Sequence, residues 1–206
     1  MSLFPIFVKL QGRLVVVVGG GEIAAGKIDG LLRAGAKVRV IAPEVHASLV
    51  EPIRTRKIEW VPRKFQPECL AGATLAIAAT SAPGVNASVY REAEARGILC
   101  NAVDDIENCH FYYGSIVQRG DLQIAISTNG KSPALAQRLR QELEQQFGPE
   151  YEVWLEWLGA ARELLRTAEG GGTESNKQML HHLASKPMYE RFVKEARREP
   201  SRQGVS

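Results

Sequence analysis

The residues Gly19-Gly20-Gly21-Glu22-Ile23-Ala24 form a G-x-G-x-x-A pattern. Such a pattern often arises by chance and gains meaning only from its surroundings. Here it follows the aliphatic run Leu14–Val18 and opens Glu22–Arg33, where Ala, Ile and Leu recur at helical spacing. Strand, tight turn and helix in that order can hold a dinucleotide. Gly19 allows the turn, Gly21 lets a pyrophosphate approach the backbone, and Ala24 lets the helix pack close to the strand. The helix N-terminus, at Glu22 and Ile23, offers free N–H groups and partial positive charge to phosphates. A ligand-free tight turn would use the same glycines, but the context favours a nicotinamide dinucleotide.

The acidic residue that usually closes the second strand and binds the adenosine ribose is missing. That strand ends Ile41-Ala42-Pro43-Glu44, and Glu44 stands slightly late, where a helix can begin. The ribose is therefore expected against backbone groups around Ala42, Pro43 and Glu44. No arginine directly follows the strand to take a 2′-phosphate, because Lys37 and Arg39 lie inside it. This favours NAD over NADP.

Ligands of open α/β sheets sit beyond the carboxyl ends of the strands. Thr80-Ser81-Ala82-Pro83-Gly84-Val85-Asn86 falls there, and Thr80, Ser81 and Asn86 can bond to the nicotinamide-side ribose. The same residue types suit a plain turn. Asn101-Ala102-Val103-Asp104-Asp105 also falls there. A carboxylate at Asp104 or Asp105 can serve as a general base or bind a metal. It can equally cap a helix or close an Asx-turn. Cys109-His110 offers too few ligands for a metal site and reads more simply as packing. In Ser127-Thr128-Asn129-Gly130-Lys131-Ser132-Pro133, hydroxyls, N–H groups and a lysine converge on a helix start. That turn suits a carboxylate. N-capping by Ser132 accounts for the same residues, and both can hold at once.

The elements that position these residues alternate. Leu14–Val18, Lys37–Ala42, Lys57–Val61, Thr74–Ala79 and Ile98–Val103 read as strands, with helices over Glu22–Arg33, Glu44–Arg54 and Val85–Arg96. This order predicts an α/β fold of Rossmann type, a parallel sheet with helices on both faces. Phe111–Val117 and Leu122–Ser127, joined by Gln118-Arg119-Gly120-Asp121, then predict an antiparallel hairpin. Helices are expected at Ala134–Phe147, Tyr151–Arg166, Asn176–Leu183 and Pro187–Arg198, with a flexible linker at Glu169–Thr173 and a disordered tail after Arg198. The predicted domains are a NAD-binding Rossmann domain (1–110), a hairpin and helix region (111–147), and a helical C-terminal region (148–206).

Composition narrows the function classes. The 206 residues carry a net charge of +3, much of it in Lys194, Arg197, Arg198 and Arg202. A short basic tail does not call for nucleic acid, though the balance suits an anionic small substrate. Cys69, Cys100 and Cys109 fit no zinc spacing, no metal site is expected, and a reducing, cytoplasmic compartment is inferred. No signal peptide and no bilayer-spanning apolar run are read, so no membrane partner is expected.

An ordered set of segments resembles the bacterial precorrin-2 dehydrogenases, also found as the N-terminal part of sirohaem synthase. The likeness covers about residues 3–147. It runs through Leu3-Phe4-Pro5-Ile6-Phe7, then Val17–Gly21 with Ala24 and Lys27, then Leu75–Thr80 and Asn86. It continues with Cys100-Asn101, Val103-Asp104-Asp105, Cys109 and Phe111. It ends with Ile124–Thr128, Gly130 and Ser132–Ala136. The resemblance implies oxidation of precorrin-2 to sirohydrochlorin with NAD, a homodimer exchanging the region after the hairpin, and, in some members, insertion of ferrous iron to give sirohaem. It implies that Asp104 is the acid/base residue and that Thr128 borders the tetrapyrrole pocket. Arg119, Lys131 and Ser132 are expected to meet the substrate's carboxylates, with Arg138 more simply solvated. The chain departs from the family at Ile106, often proline, at Phe111–Ser115, often Phe-Ile-Phe-Pro-Ala, and at Asn129, usually glycine. The competing reading is a non-enzymatic NAD-binding regulatory module, which would need neither Asp104 nor the Ser127–Pro133 turn.

Overall fold

The computed structural model describes residues 3–167 and 173–196. The expected linker, apart from Thr173, and the expected disordered tail lie outside them. Leu3–Tyr113 forms one compact unit, and the described residues from Gly114 onward form another.

The first unit is built on a five-stranded parallel sheet. Its strands are β1 (Leu14–Val18), β2 (Lys37–Ile41), β3 (Ile58–Val61), β4 (Leu75–Ala78) and β5 (Leu99–Ala102), in the order β3-β2-β1-β4-β5. Successive strand residues face opposite sides of a sheet, and β1 is buried on both. Val15 and Val17 meet Val38, Val40 and Ile77 under α1 (Glu22–Arg33) and α2 (Ala47–Arg54), which add Ala24, Ile28, Leu31 and Leu49. Val16 and Val18 meet Ala76, Ala78 and Cys100 under α3 (Pro83–Ala95), which adds Val89 and Ala93, and a 3-10 turn at Pro67–Leu70. Each fully buried Val or Ile is worth about 1.5–3 kcal/mol over exposure. An uninterrupted aliphatic strand is therefore most stable in the middle, where the order reverses and a crevice opens.

Two boundaries move for identifiable reasons. Helix α2 starts at Ala47, not Glu44, because the chain before it is tied to the glycine turn. The His46 N–H donates to the Gly20 carbonyl at 2.7 Å, and the His46 ring caps the helix by accepting from the Ser48 N–H. The hairpin's first strand starts at Ser115, not Phe111. The Phe111 carbonyl accepts from Asn101 Nδ2 at 2.9 Å, and Lys27 Nζ lies 4.1 Å from the centre of the Tyr113 ring. Residues 111–113 thus stay with the first unit.

The second unit pairs β6 (Ser115–Arg119) with β7 (Leu122–Ile126) through a turn at Gly120-Asp121, with Gly120 at φ +54. Helices α4 (Pro133–Gln146), α5 (Glu150–Thr167), α6 (Glu174–Leu183) and α7 (Lys186–Ala196) follow. The rings of Tyr151 and Tyr189 pack edge-on or tilted around the buried Trp154, and Tyr189 Oη donates to Glu150 Oε1 at 2.6 Å. Among the described residues no helix is long and apolar enough to cross a membrane.

Burial pushes the Cys100 thiol up to about 12, and nearby Cys109 adds to the shift, whereas an unfolded thiol titrates near 9. The unfolded chain therefore loses that proton first. Stability is full below pH 9 and falls between pH 9 and about 12. Urea unfolding across that range should show the decline, and Cys100→Ala should make it shallower, with Tyr113, also pushed up to about 12 by burial, carrying part of the rest. An identical slope in the variant would contradict the assignment.

Candidate functional site

The glycine turn closes the carboxyl end of β1. A Cβ on Gly19, at φ +117, would fall 2.3 Å from the Ala79 carbonyl oxygen, and one on Gly20 would fall 2.3 Å from that of Glu44. Both glycines are needed so that neighbouring backbones can meet. A Cβ on Gly21 would touch nothing within 4 Å, and its backbone is extended. Gly21 caps α1 without a side-chain hydrogen bond. The first-turn N–H groups are left for a ligand.

That turn floors a cleft of about 1400 Å³. Gly19, Gly21, Glu22, Ile23, Pro43, Glu44, Thr80 and Asp104 all line it, so the strand-end residues singled out from the sequence converge. Ala24 does not. It is fully buried on the sheet-facing side of α1 and serves the close packing of helix on sheet. Asn86 is also buried, and its amide is spent on Thr80. Oδ1 accepts from the Thr80 N–H at 3.1 Å and from its hydroxyl at 2.7 Å, and Nδ2 donates to the Thr80 carbonyl at 3.1 Å. Asn86 fixes the turn that presents Thr80, with one Nδ2 hydrogen left over.

The paired aspartates separate into two roles. Asp105 caps a 3-10 turn, accepting from the Asn108 N–H at 3.3 Å and from Asn108 Nδ2 at 2.6 Å. The Asp104 carboxylate is exposed and has no hydrogen-bond or ion-pair partner among the described residues. Its backbone sits at φ +61, a left-handed conformation that non-glycine residues adopt at a cost. The Asx reading fits Asp105 and leaves the Asp104 carboxylate uncommitted. Cys109 donates to the Ala102 and Asp105 carbonyls at 3.1 Å each, and burial raises its pKa. The His110 ring stacks on Tyr90 and accepts from the Cys100 N–H. Both side chains are held by packing.

The second unit carries Thr128, Lys131, Ser132 and Arg119. Ser132 Oγ accepts from the Leu135 N–H and so caps α4, while Thr128 Oγ1 accepts from the Ser132 N–H, each at 3.2 Å. Asn129 takes φ +54 and Gly130 φ +74, so the turn keeps its left-handed residues despite the missing glycine. Asparagine tolerates that conformation. Lys131 is exposed. Arg119 is corrected. Its guanidinium donates to the Phe147, Gln118 and Glu144 carbonyls at 2.8, 2.8 and 3.1 Å. It satisfies the carbonyl end of α4, where a cation is favoured, and is not held ready for a substrate.

Sequence reasoning missed part of the cleft. Arg63, Lys64, Phe65 and Pro67, from the segment after β3, also line it. The available signal was the parallel pairing of β3 with β2, which sets their following segments side by side.

A family model described as "Putative NAD(P)-binding" matches residues 6–115, over half of the chain and all of the cleft. The chain belongs to this NAD(P)-binding family. The open face of Gly21 and the uncapped first turn of α1 fit the dinucleotide that the family implies. A second model, for the central part of a sirohaem biosynthesis protein, matches residues 119–146. The siroheme synthase of Photorhabdus laumondii is 48% identical over 144 residues, covering 70% of this chain and 31% of that protein. Siroheme synthase 1 of Pectobacterium atrosepticum is 41% identical over 167 residues, covering 81% of this chain and 35% of that protein. The chain thus spans about a third of the length of these curated relatives. A solved structure, "SirC, precorrin-2 dehydrogenase", matches with a TM-score of 0.76 at 26% identity, covering 94% of this chain and 98% of that one.

The two ends of the glycine turn should respond differently to substitution. Gly21→Ser, entering open space at an N-cap that serine suits, should leave the thermal unfolding midpoint unchanged or raised and weaken NAD binding at least tenfold, about 1.4 kcal/mol. Gly19→Ala, which must displace the Ala79 backbone, should lower that midpoint. Calorimetric unfolding and NAD titration of both variants check this.

Proposed function

We propose that the protein is an NAD-dependent precorrin-2 dehydrogenase that oxidises precorrin-2 to sirohydrochlorin in sirohaem biosynthesis. The observation that carries the reading is the unpartnered Asp104 carboxylate at the strand-end cleft that also holds the glycine turn. A purely regulatory NAD-binding module has no use for a carboxylate held at φ +61. The choice of substrate is supported by the likeness to the precorrin-2 dehydrogenase SirC and to siroheme synthases.

When bound, the nicotinamide ring supplies a two-electron acceptor for hydride. Gly19, Gly21, Glu22 and Ile23 would hold the pyrophosphate at the start of α1, where free N–H groups offset its charge. Pro43 and Glu44 would border the adenosine ribose. Thr80, braced by Asn86, would border the nicotinamide ribose. Asp104 takes the proton that leaves the macrocycle with the hydride and passes it to water. Position and charge come from the protein. Thr128, Lys131 and Ser132 would meet substrate carboxylates.

The reading extends to ferrous iron as a second substrate, with Asp104 accepting pyrrole protons as sirohaem forms. It also extends to a homodimer. Two strands alone are marginal in water, and Ile116 and Leu135 of the hairpin unit are exposed. The three cysteines are free thiols, in keeping with a reducing cytoplasm.

Incubation with precorrin-2 and NAD should give NADH and sirohydrochlorin together, and Asp104→Asn should lower the rate about a hundredfold or more with NAD affinity retained. NAD binding without turnover by the unaltered protein would leave a binding module instead. Anaerobic addition of ferrous iron to sirohydrochlorin should be faster with protein than without. Light scattering should give twice the chain mass, and a monomer would remove the dimer.

A further inference from the structure

The wall of the cleft formed by the segments after β2 and β3 is the adenosine side of a Rossmann site, because the ribose-binding residue normally ends β2. Some of the backbone groups on that wall are already taken. The Ala42 N–H donates to the Val61 carbonyl at 3.3 Å, and the Ala42 carbonyl accepts from Trp60 Nε1 at 2.9 Å. Pro43 has no N–H. The Ala42 backbone groups are therefore committed, and side chains on this wall add to whatever Pro43 and Glu44 backbone groups offer a ribose.

Three charged side chains line this wall: Glu44, Arg63 and Lys64. They are not paired with one another. Lys64 and Glu44 have no side-chain partner among the described residues. Arg63 is anchored through its backbone N–H to the Val61 carbonyl at 2.8 Å, and one guanidinium nitrogen reaches Cys69 Sγ at 3.6 Å. The remaining guanidinium donors are uncommitted. Two cations thus face one carboxylate. A site selective for NAD places a carboxylate on the ribose hydroxyls, and a site that accepts NADP brings a cation to the 2′-phosphate. The cations here come from the third strand and not from the second.

We propose that Arg63 and Lys64 form a 2′-phosphate subsite, so that the cleft binds NADP as well as NAD, with Glu44 opposing the phosphate. This rests on the dinucleotide reading of the cleft. Arg63 and Lys64 supply the fork and the point charge that suit a phosphate. The Glu44 carboxylate remains for the ribose hydroxyls of NAD.

Calorimetric titration of the full chain with NAD and with NADP tests this. The two dissociation constants should lie within about tenfold of each other, and NADP binding should weaken more steeply with added salt. The double variant Arg63→Ala, Lys64→Ala should weaken NADP at least about fivefold relative to NAD, and Glu44→Gln should shift the ratio towards NADP. Retained NAD binding in the double variant, and an unchanged thermal unfolding midpoint in Glu44→Gln, report an intact fold. A ratio unmoved by the double substitution, with NAD bound, overturns the subsite alone. If the unaltered protein binds neither dinucleotide, the reading of the cleft itself fails.

Discussion

At the end of β1 the backbones approach so closely that no side-chain carbon fits. Gly19 lies against the Ala79 carbonyl and Gly20 against that of Glu44. This double approach draws the segments after β2 and β4 onto one turn and sets the start of α1 between them. The cleft is where those segments part again. Its shape depends on the valines of β1, buried on both faces, which keep that strand central.

Much of the polar chemistry near the cleft holds loops still. Asn86 clamps Thr80, Trp60 holds the Ala42 carbonyl, and His46 closes on Gly20. Buried polar groups left unpaired are expensive, and these bonds satisfy them while stiffening the rim. The groups left over, Asp104, Glu44, Lys64 and most of the Arg63 guanidinium among them, are available to a ligand. The second unit follows the same economy: Arg119 is absorbed by the end of α4, and the hydroxyls of Thr128 and Ser132 shape the turn before it.

The glycine turn was legible in the sequence because its signal is local. A run of valines, a glycine triplet and a helical period sit within about twenty residues. The parallel sheet followed from the alternation of elements. Asp104 and Asp105 looked equivalent, because only the backbone angle at Asp104 and the cap at Asp105 separate them. Arg119 was misread because its acceptors lie 25 and 28 residues onward, at the far end of a helix. Arg63 and Lys64 were overlooked because a cation is sought after the second strand, and nothing local says that the third lies alongside. Pairwise spacing fails wherever the partner is set by tertiary packing.

The left-handed backbone at Asp104 has a consequence for anyone engineering this chain. Glycine would occupy that angle without the steric penalty, a gain of about 1 kcal/mol for an ordinary residue. A redesign guided by thermostability alone would pick that replacement early. It would yield a hardier scaffold and erase the bare carboxylate at the cleft. Where fitness and robustness pull apart, the residue that sits least comfortably is the first to shield from optimisation.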